Sequence, residues 1–119
     1  MDAALAEAAR TQVPENVAVV DAGGNLLAFG RSDGARIASI SIAITKAVSA
    51  ATRKRATAEE GGGDLLATIR SALAADSVTG IGGGIPLTID GWVVGGIGVS
   101  SGSIAEDMVV AAAGAALLA

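Results

Sequence analysis

Residues 80–102 read GIGGGIPLTIDGWVVGGIGVSSG, and nine glycines in so apolar a stretch allow two readings. Either the backbone approaches a phosphate, cofactor or second chain closely, or it packs closely against the protein itself. The phosphate motifs are absent. No glycine precedes a lysine, so G-x-x-x-x-G-K-[ST] does not occur, and no G-x-G-x-x-G joins a strand to a helix in a parallel βαβ unit. Asp90-Gly91 between two β-prone runs predicts a hairpin with a two-residue turn, because both residues tolerate positive φ. Gly82–Gly84 then serves as a tight bend into the strand at Pro86, or as a loop that touches a ligand. Gly95, Gly96 and Gly98 let a helix lie close on the sheet. Ser103-Ile-Ala-Glu106 matches a capping box and opens a last helix running to Ala119.

Working outward, Asp2–Thr11 reads as a short alanine-rich helix stopped by Pro14. NVAVVDAGGNLLAFG sets the apolar runs Val17–Val20 and Leu26–Phe29 on either side of a turn, a second hairpin with a longer loop. Over residues 37–57, SISIAI alternates like a strand, yet Ile37, Ile40, Ile44, Val48 and Ala51 recur at helical spacing. The cluster Arg53-Lys54-Arg55 suits a helix C-terminus, and a helix is predicted there. Asp64 is placed to cap a further helix carrying Leu65, Ile69 and Leu73 on one face. A fifth short strand is possible near Val78–Ile81. The order α-β-β-α-α-β-β-α, with hairpins between neighbouring strands, predicts one α+β domain over residues 1–119. Its core is an antiparallel sheet of four to five strands flanked by helices.

Composition narrows the function. Hydrophobic residues make up 51% of the 119, charged residues 17% and aromatics only 2%, which excludes disorder. Much of the apolar content is alanine, so helices must sit close to what they cover, and apolar surface is left over for a sister subunit. A homo-oligomer is expected. A net charge of −4 argues against nucleic acid as a partner. With no Cys, disulfides, thiolate catalysis and zinc–sulfur sites are excluded; with no His, the usual proton shuttle is missing. No apolar run reaches a transmembrane length, and MDAALAEAAR lacks the basic start of a signal peptide. The expected partner is therefore a small organic ligand rather than a membrane, and the expected compartment the cytoplasm.

Among the residues able to carry chemistry, Lys46 stands mid-helix in SIAITKAVSA with no carboxylate three or four positions away. Desolvated, it would be a proton acceptor or an anion anchor; the alternative is a lysine that snorkels to water. Arg31 and Asp33 in GRSDGA can orient a polar group or simply form a turn, as can Asp21. Glu106 and Asp107 suit helix capping. Ser100 and Ser101 lead into that helix, whose free amides can hold a carboxylate or phosphate.

Taken in order, VAVVDAGGNLLAFGRSDGA, SIAITKAVSAA, GGGIPL and DGWVVGGIGVSSG followed by AEDMVVAAAGAAL resemble the GlcG/HbpS family. This is the haem-binding, haem-degrading-like domain found also at the C-terminus of PduO-type cobalamin adenosyltransferases. The resemblance runs from about Val17 to the end. It implies a small α+β domain, assembly into dimers or larger rings, and a pocket that holds haem in some members. By position it carries over the turn Asp21–Gly24, the segment Arg31–Ala35, the helix lysine Lys46, the turn Gly82–Pro86 and the acidic pair Glu106–Asp107. Two departures stand out. Ser32 replaces a residue that is often Met or another large side chain, and no histidine is present. Haem would have to rely on Met108, Lys46, an oxygen donor or apolar contact, since Cys and Tyr are also missing.

The resulting expectation is a small-molecule binder with a pocket between Lys46 and Gly82–Pro86. Arg31, Gly82, Gly83, Gly84, Pro86, Ser100 and Ser101 would be its binding residues. The alternative is a cofactor-independent isomerase or dehydratase of a carbonyl metabolite. There Lys46 or one of Asp21, Asp33 and Glu106 acts as base, and glycine-turn amides stabilise an oxyanion. A third reading is an assembly module whose alanine- and glycine-rich faces pack against sister subunits.

Overall fold

The computed structural model describes residues 1–57, 79 and 81–118. Helix α1 (Asp2–Thr11) precedes the hairpin β1 (Asn16–Asp21) and β2 (Leu26–Arg31). A short 3-10 turn (Ile37–Ser39) leads into α2 (Ile40–Arg53). The second hairpin, β3 (Gly84–Ile89) and β4 (Trp92–Ser100), is followed by α3 (Ile104–Ala115). The four strands form one antiparallel sheet in the order β2-β1-β4-β3. This is the expected α+β class. The helix expected from Asp64 lies outside the described residues, as do Val78 and Gly80 of the possible fifth strand.

The local signals act as chemistry requires. Asp90 and Gly91 take φ of 53° and 81°, the paired left-handed conformation of a tight hairpin, and bring Ile89 opposite Trp92. In the other turn Asp21 Oδ1 accepts from the backbone N–H groups of Gly23 and Asn25, both at 2.9 Å. Ser103 Oγ accepts from Glu106 N–H, and the Glu106 carboxylate accepts from Ser103 N–H at 2.8 Å, completing the capping box.

Alternation along β1 divides the interior between the two faces of the sheet. Val17 joins Ile97, Val99 and Leu87 against Ala4 and Ala8 of α1 and Val110 and Ala111 of α3. Ala18 and Val20 face Ala43, Ala47 and Ala51 of α2. Each fully buried Val or Ile here contributes on the order of 1.5–3 kcal/mol.

The helical spacing in residues 37–51 predicts the right element, but of its five positions only Ala51 is fully buried. Ile37 is 72% exposed, and Ile44 and Val48 lie only at the margin of the α2 cluster. The buried residues are Ala43, Lys46, Ala47, Ser49, Ala50 and Ala51. Gly96 and Gly98 explain this choice. A Cβ on Gly98 would overlap the Ala43 carbonyl and the Ala47 amide, and one on Gly96 the Ala47 carbonyl. With the backbones so close, only small side chains fit between them. Among the described residues no helix is long and apolar enough to cross a membrane.

Gly98→Ala is therefore expected to destabilise the protein by about 3 kcal/mol or more, read as a lowered urea midpoint. Gly91→Ala, at positive φ but with nothing within 4 Å of the new methyl, should cost about 1 kcal/mol. Equal losses at the two positions would refute the close-approach explanation.

Candidate functional site

The glycine contact delivers α2 to the end of the sheet with Lys46 pointing inward, only 1% exposed. Its ammonium donates to the Val99 carbonyl at 2.8 Å and to Asp107 Oδ2 at 3.0 Å. Asp107, 2% exposed, enters from the first turn of α3. Gly83, at φ +121°, closes over this pair; a Cβ there would stand 2.6 Å from the Val99 carbonyl and 2.9 Å from Lys46 Nζ. The lysine is thus desolvated and ion-paired rather than snorkelling.

A third charged group completes the cluster. Glu15, fully buried just ahead of β1, accepts from Gly102 N–H through Oε1 at 2.7 Å. The same N–H donates to Asp107 Oδ1 at 3.0 Å. Glu15 Oε2 is buried with no hydrogen-bond partner among the described residues. Burial above all, then the adjoining Asp107 carboxyl, pushes Glu15 up to about 8, against the opposing pull of the Gly102 amide and the Lys46 charge. With Lys46 paired to Asp107 at 3.0 Å, the second carboxyl, Glu15, favours its protonated form.

Two open clefts flank the Val13–Pro14 ridge beside this cluster. One, about 440 Å³, lies between α1 (Leu5, Ala8) and the segment Arg31–Asp33. The other, about 480 Å³, is walled by Gly34, Arg36, Ser101–Ser103 and Glu106. Pockets of this size suit small organic ligands. The Arg36 side chain makes no hydrogen bond or ion pair with the described residues, and Arg31 reaches only the Ala35 carbonyl, at 3.4 Å. Each cleft thus has a guanidinium able to take a carboxylate, with an acidic neighbour, Asp33 or Glu106.

The structure separates the residues singled out in the sequence. Arg31 and Asp33 share the first cleft, while Ser101 and Glu106 share the second. Ser100 is buried at the end of β4. Lys46 meets Gly83 and Gly84 directly, the Gly84 Cα lying against the Lys46 carbonyl, and lines neither cleft. Gly82 is buried and Pro86 half-buried in the same closed layer. Asp21 is engaged in its turn, where the Asn25 amide holds its carboxyl below the usual range. Glu106 is held low by the Ser103 amide. The amides of Gly102 and Ser103 ahead of α3 are already taken by the carboxyl groups of Glu15, Asp107 and Glu106, so the protein's own side chains occupy that position. Met108 Sδ accepts from Gly83 N–H at 3.0 Å.

Sequence reasoning gave Asp107 only a capping role and passed over Glu15 and Arg36. For Glu15 the one available signal was an acid standing directly before an apolar strand, in PENVAVV. Its partner Gly102 lies 87 positions away.

Removing the lysine alone should be costly, because Lys46→Met leaves a buried carboxylate unpaired: about 3–5 kcal/mol is expected in denaturant unfolding. Lys46→Met with Asp107→Leu should recover most of that loss; strict additivity of the two substitutions would refute the buried pair. The folded protein holds the Glu15 proton more tightly than the unfolded chain, whose carboxyl titrates near 4.5. Its contribution is therefore fully present below about pH 4.5 and falls as pH rises toward 8, by at most about 1.4 kcal/mol per unit. Above pH 8 it levels off. Glu15→Gln should flatten that slope in unfolding measured across the range.

The chain resembles several known proteins. It is 38% identical over 113 residues to the corrinoid adenosyltransferase PduO of Salmonella typhimurium (strain LT2), covering 92% of this chain and 33% of that protein. The chain thus spans about a third of that relative's length. The crystal structure of a PduOC:heme complex superposes with a TM-score of 0.83 at 34% identity, over 97% of this chain and 86% of the other. A double mutant of HbpS from Streptomyces reticuli gives 0.85 at 35%, over 99% and 80%. Residues 1–116 match the family of haem degrading protein HbpS-like, and with that match spanning nearly its whole length, the chain belongs to the HbpS-like family.

Proposed function

We propose that this chain is a small-molecule-binding module that takes a flat, apolar organic acid, a tetrapyrrole being the class its relatives indicate, in the clefts about Val13–Pro14. The observation that carries this reading is a pair of clefts of about 440 and 480 Å³ sharing one apolar ridge, each with an arginine free to meet a carboxylate. Leu5, Ala9 and Val13 offer apolar surface for the body of the ligand. Arg31 and Arg36 offer charge-assisted bonds to its acidic edge. The solved PduOC:heme complex supports the tetrapyrrole class.

The residues present do not fit a haem held through its iron. The sequence contains no His, Cys or Tyr. The Met108 sulfur is committed to the Gly83 amide. Met1 caps α1 and sits against Gly30, its sulfur 3.0 Å from where a Cβ would be. Binding in this chain therefore rests on the organic frame and its carboxylates.

The binder also self-associates in this reading. Leu27, Trp92 and Leu117, exposed at 66%, 77% and 71%, are the apolar side chains a sister subunit would cover. Sedimentation should return a mass above that of one chain.

Titration with haemin and with metal-free protoporphyrin IX, followed by absorbance and fluorescence, tests the ligand reading. The two are expected to bind within about threefold of one another, and Met108→Ala should leave the haemin spectrum unchanged. Arg31→Ala and Arg36→Ala should each weaken binding by about tenfold. Haemin binding that far exceeds protoporphyrin binding would overturn a frame-based site; failure of both to bind would overturn the tetrapyrrole class.

A further inference from the structure

The buried carboxyl of Glu15 stands where both clefts are fastened. Its own carbonyl accepts from Ser32 N–H at 2.9 Å, which fixes the wall of the first cleft. Its side chain holds the Gly102 amide, part of the wall of the second. The residue before it, Pro14, is part of the ridge common to both. The residue after it, Asn16, donates through Nδ2 to the Arg36 carbonyl at 2.9 Å, and Arg36 N–H in turn donates to Ser101 Oγ at 2.9 Å. We infer that Glu15 is the positioning residue of the site: its carbonyl and its carboxyl tie the two cleft walls together, and a charge on that carboxyl, set against Asp107 over the shared Gly102 amide, loosens them, so that ligand binding is tied to a single protonation. This rests on the reading of the clefts as the ligand site.

Charge counting within the cluster supports the proton. Among the described residues Lys46 from α2 is the one cation facing Glu15, and Asp107 from α3 is the second carboxyl; Lys46 is spent on Asp107 Oδ2. Two ionised carboxylates would then meet over the single Gly102 amide, out of reach of water. A proton on Glu15 removes that repulsion and converts one acceptor into a donor. The other nearby charges are engaged or face outward. Glu106 accepts from Ser103 N–H, Arg31 reaches Ala35, Arg36 borders the second cleft, and Glu7 and Arg10 of α1 pair with each other at the surface.

The loop that would yield is Ser101–Gly102. Ser101 sits at φ +134°, a conformation a side chain rarely adopts, so its neighbours must hold it there. Ionising Glu15 sets its charge against Asp107 across the Gly102 amide, and Ser101, which carries Arg36 through its hydroxyl, follows.

The experiment uses the full chain labelled with nitrogen-15, free and with protoporphyrin IX. Across about pH 5 to 9, the Gly102 and Ser32 amide signals should move together with a midpoint near 8, and Glu15→Gln should abolish that transition. In Asp107→Asn, which keeps Glu15 but removes the opposing charge, the midpoint should fall by about one unit or more. Protoporphyrin affinity should drop by about tenfold across the transition in the unaltered chain and change less than twofold in Glu15→Gln. Signals that stay flat, or that titrate alike in Glu15→Gln, overturn the inference even if protoporphyrin binds. A shared transition without protoporphyrin binding at any pH upholds the coupling of the walls and refutes the ligand reading instead.

Discussion

The contact between α2 and β4 is the constraint from which the remaining structure follows. Two backbones approach within the reach of a single Cβ at Gly96 and Gly98, and Gly84 on the neighbouring strand meets the Lys46 carbonyl in the same way. Dispersion and desolvation over that area replace what large side chains supply in other cores, which is how a chain with so little aromatic content closes an interior. The contact also places Lys46. A helix standing farther from the sheet would leave its ammonium short of Val99 and Asp107.

Once Lys46 is inside, its partners are constrained in turn. A buried ammonium requires an anion and further acceptors, and Asp107 with the Val99 carbonyl provides them. Gly83 must then lack a side chain, because the space above the pair is filled. Glu15 is the surplus acid in this arrangement. Its burial opposes ionisation, and it persists because the Gly102 amide and its own backbone link it to both loops that build the clefts. The polar cluster therefore joins α2, α3, the start of β1 and the loop after β4 at one end of the sheet.

The clefts are a consequence of how α1 ends. Gln12 adopts φ 60°, its amide returns to Ala8 and Ala9, and Pro14 turns the chain into β1. That corner stands between the Arg31–Asp33 loop and the Ser101–Ser103 loop, leaving a depression on either side. The two arginines beside these depressions come from the end of β2 and the turn that follows it. Asp107 serves the polar cluster rather than a cleft, although its neighbour Glu106 lies at the cleft wall.

Much of this was legible in the residues alone. Asp90-Gly91, the capping box at Ser103–Glu106, the Asp21 turn and the alternation of β1 act over a few positions, and propensity and hydrogen-bonding geometry decide them locally. The strand glycines likewise declared that something lies close above them. Most of the inner face of α2 was not legible, because the isoleucines and Val48 at helical spacing make a stronger pattern than the alanines that the glycines across the interface demand. The polar cluster and the clefts were still less so. Lys46 is 61 positions from Asp107, and Glu15 is 87 from Gly102; no local pattern encodes a pairing that distant. Sequence by itself determined the class, the hairpins, the caps and the family resemblance. Only the tertiary structure decided which charges are desolvated together and where the surface stays open, since both depend on how closely distant backbones approach.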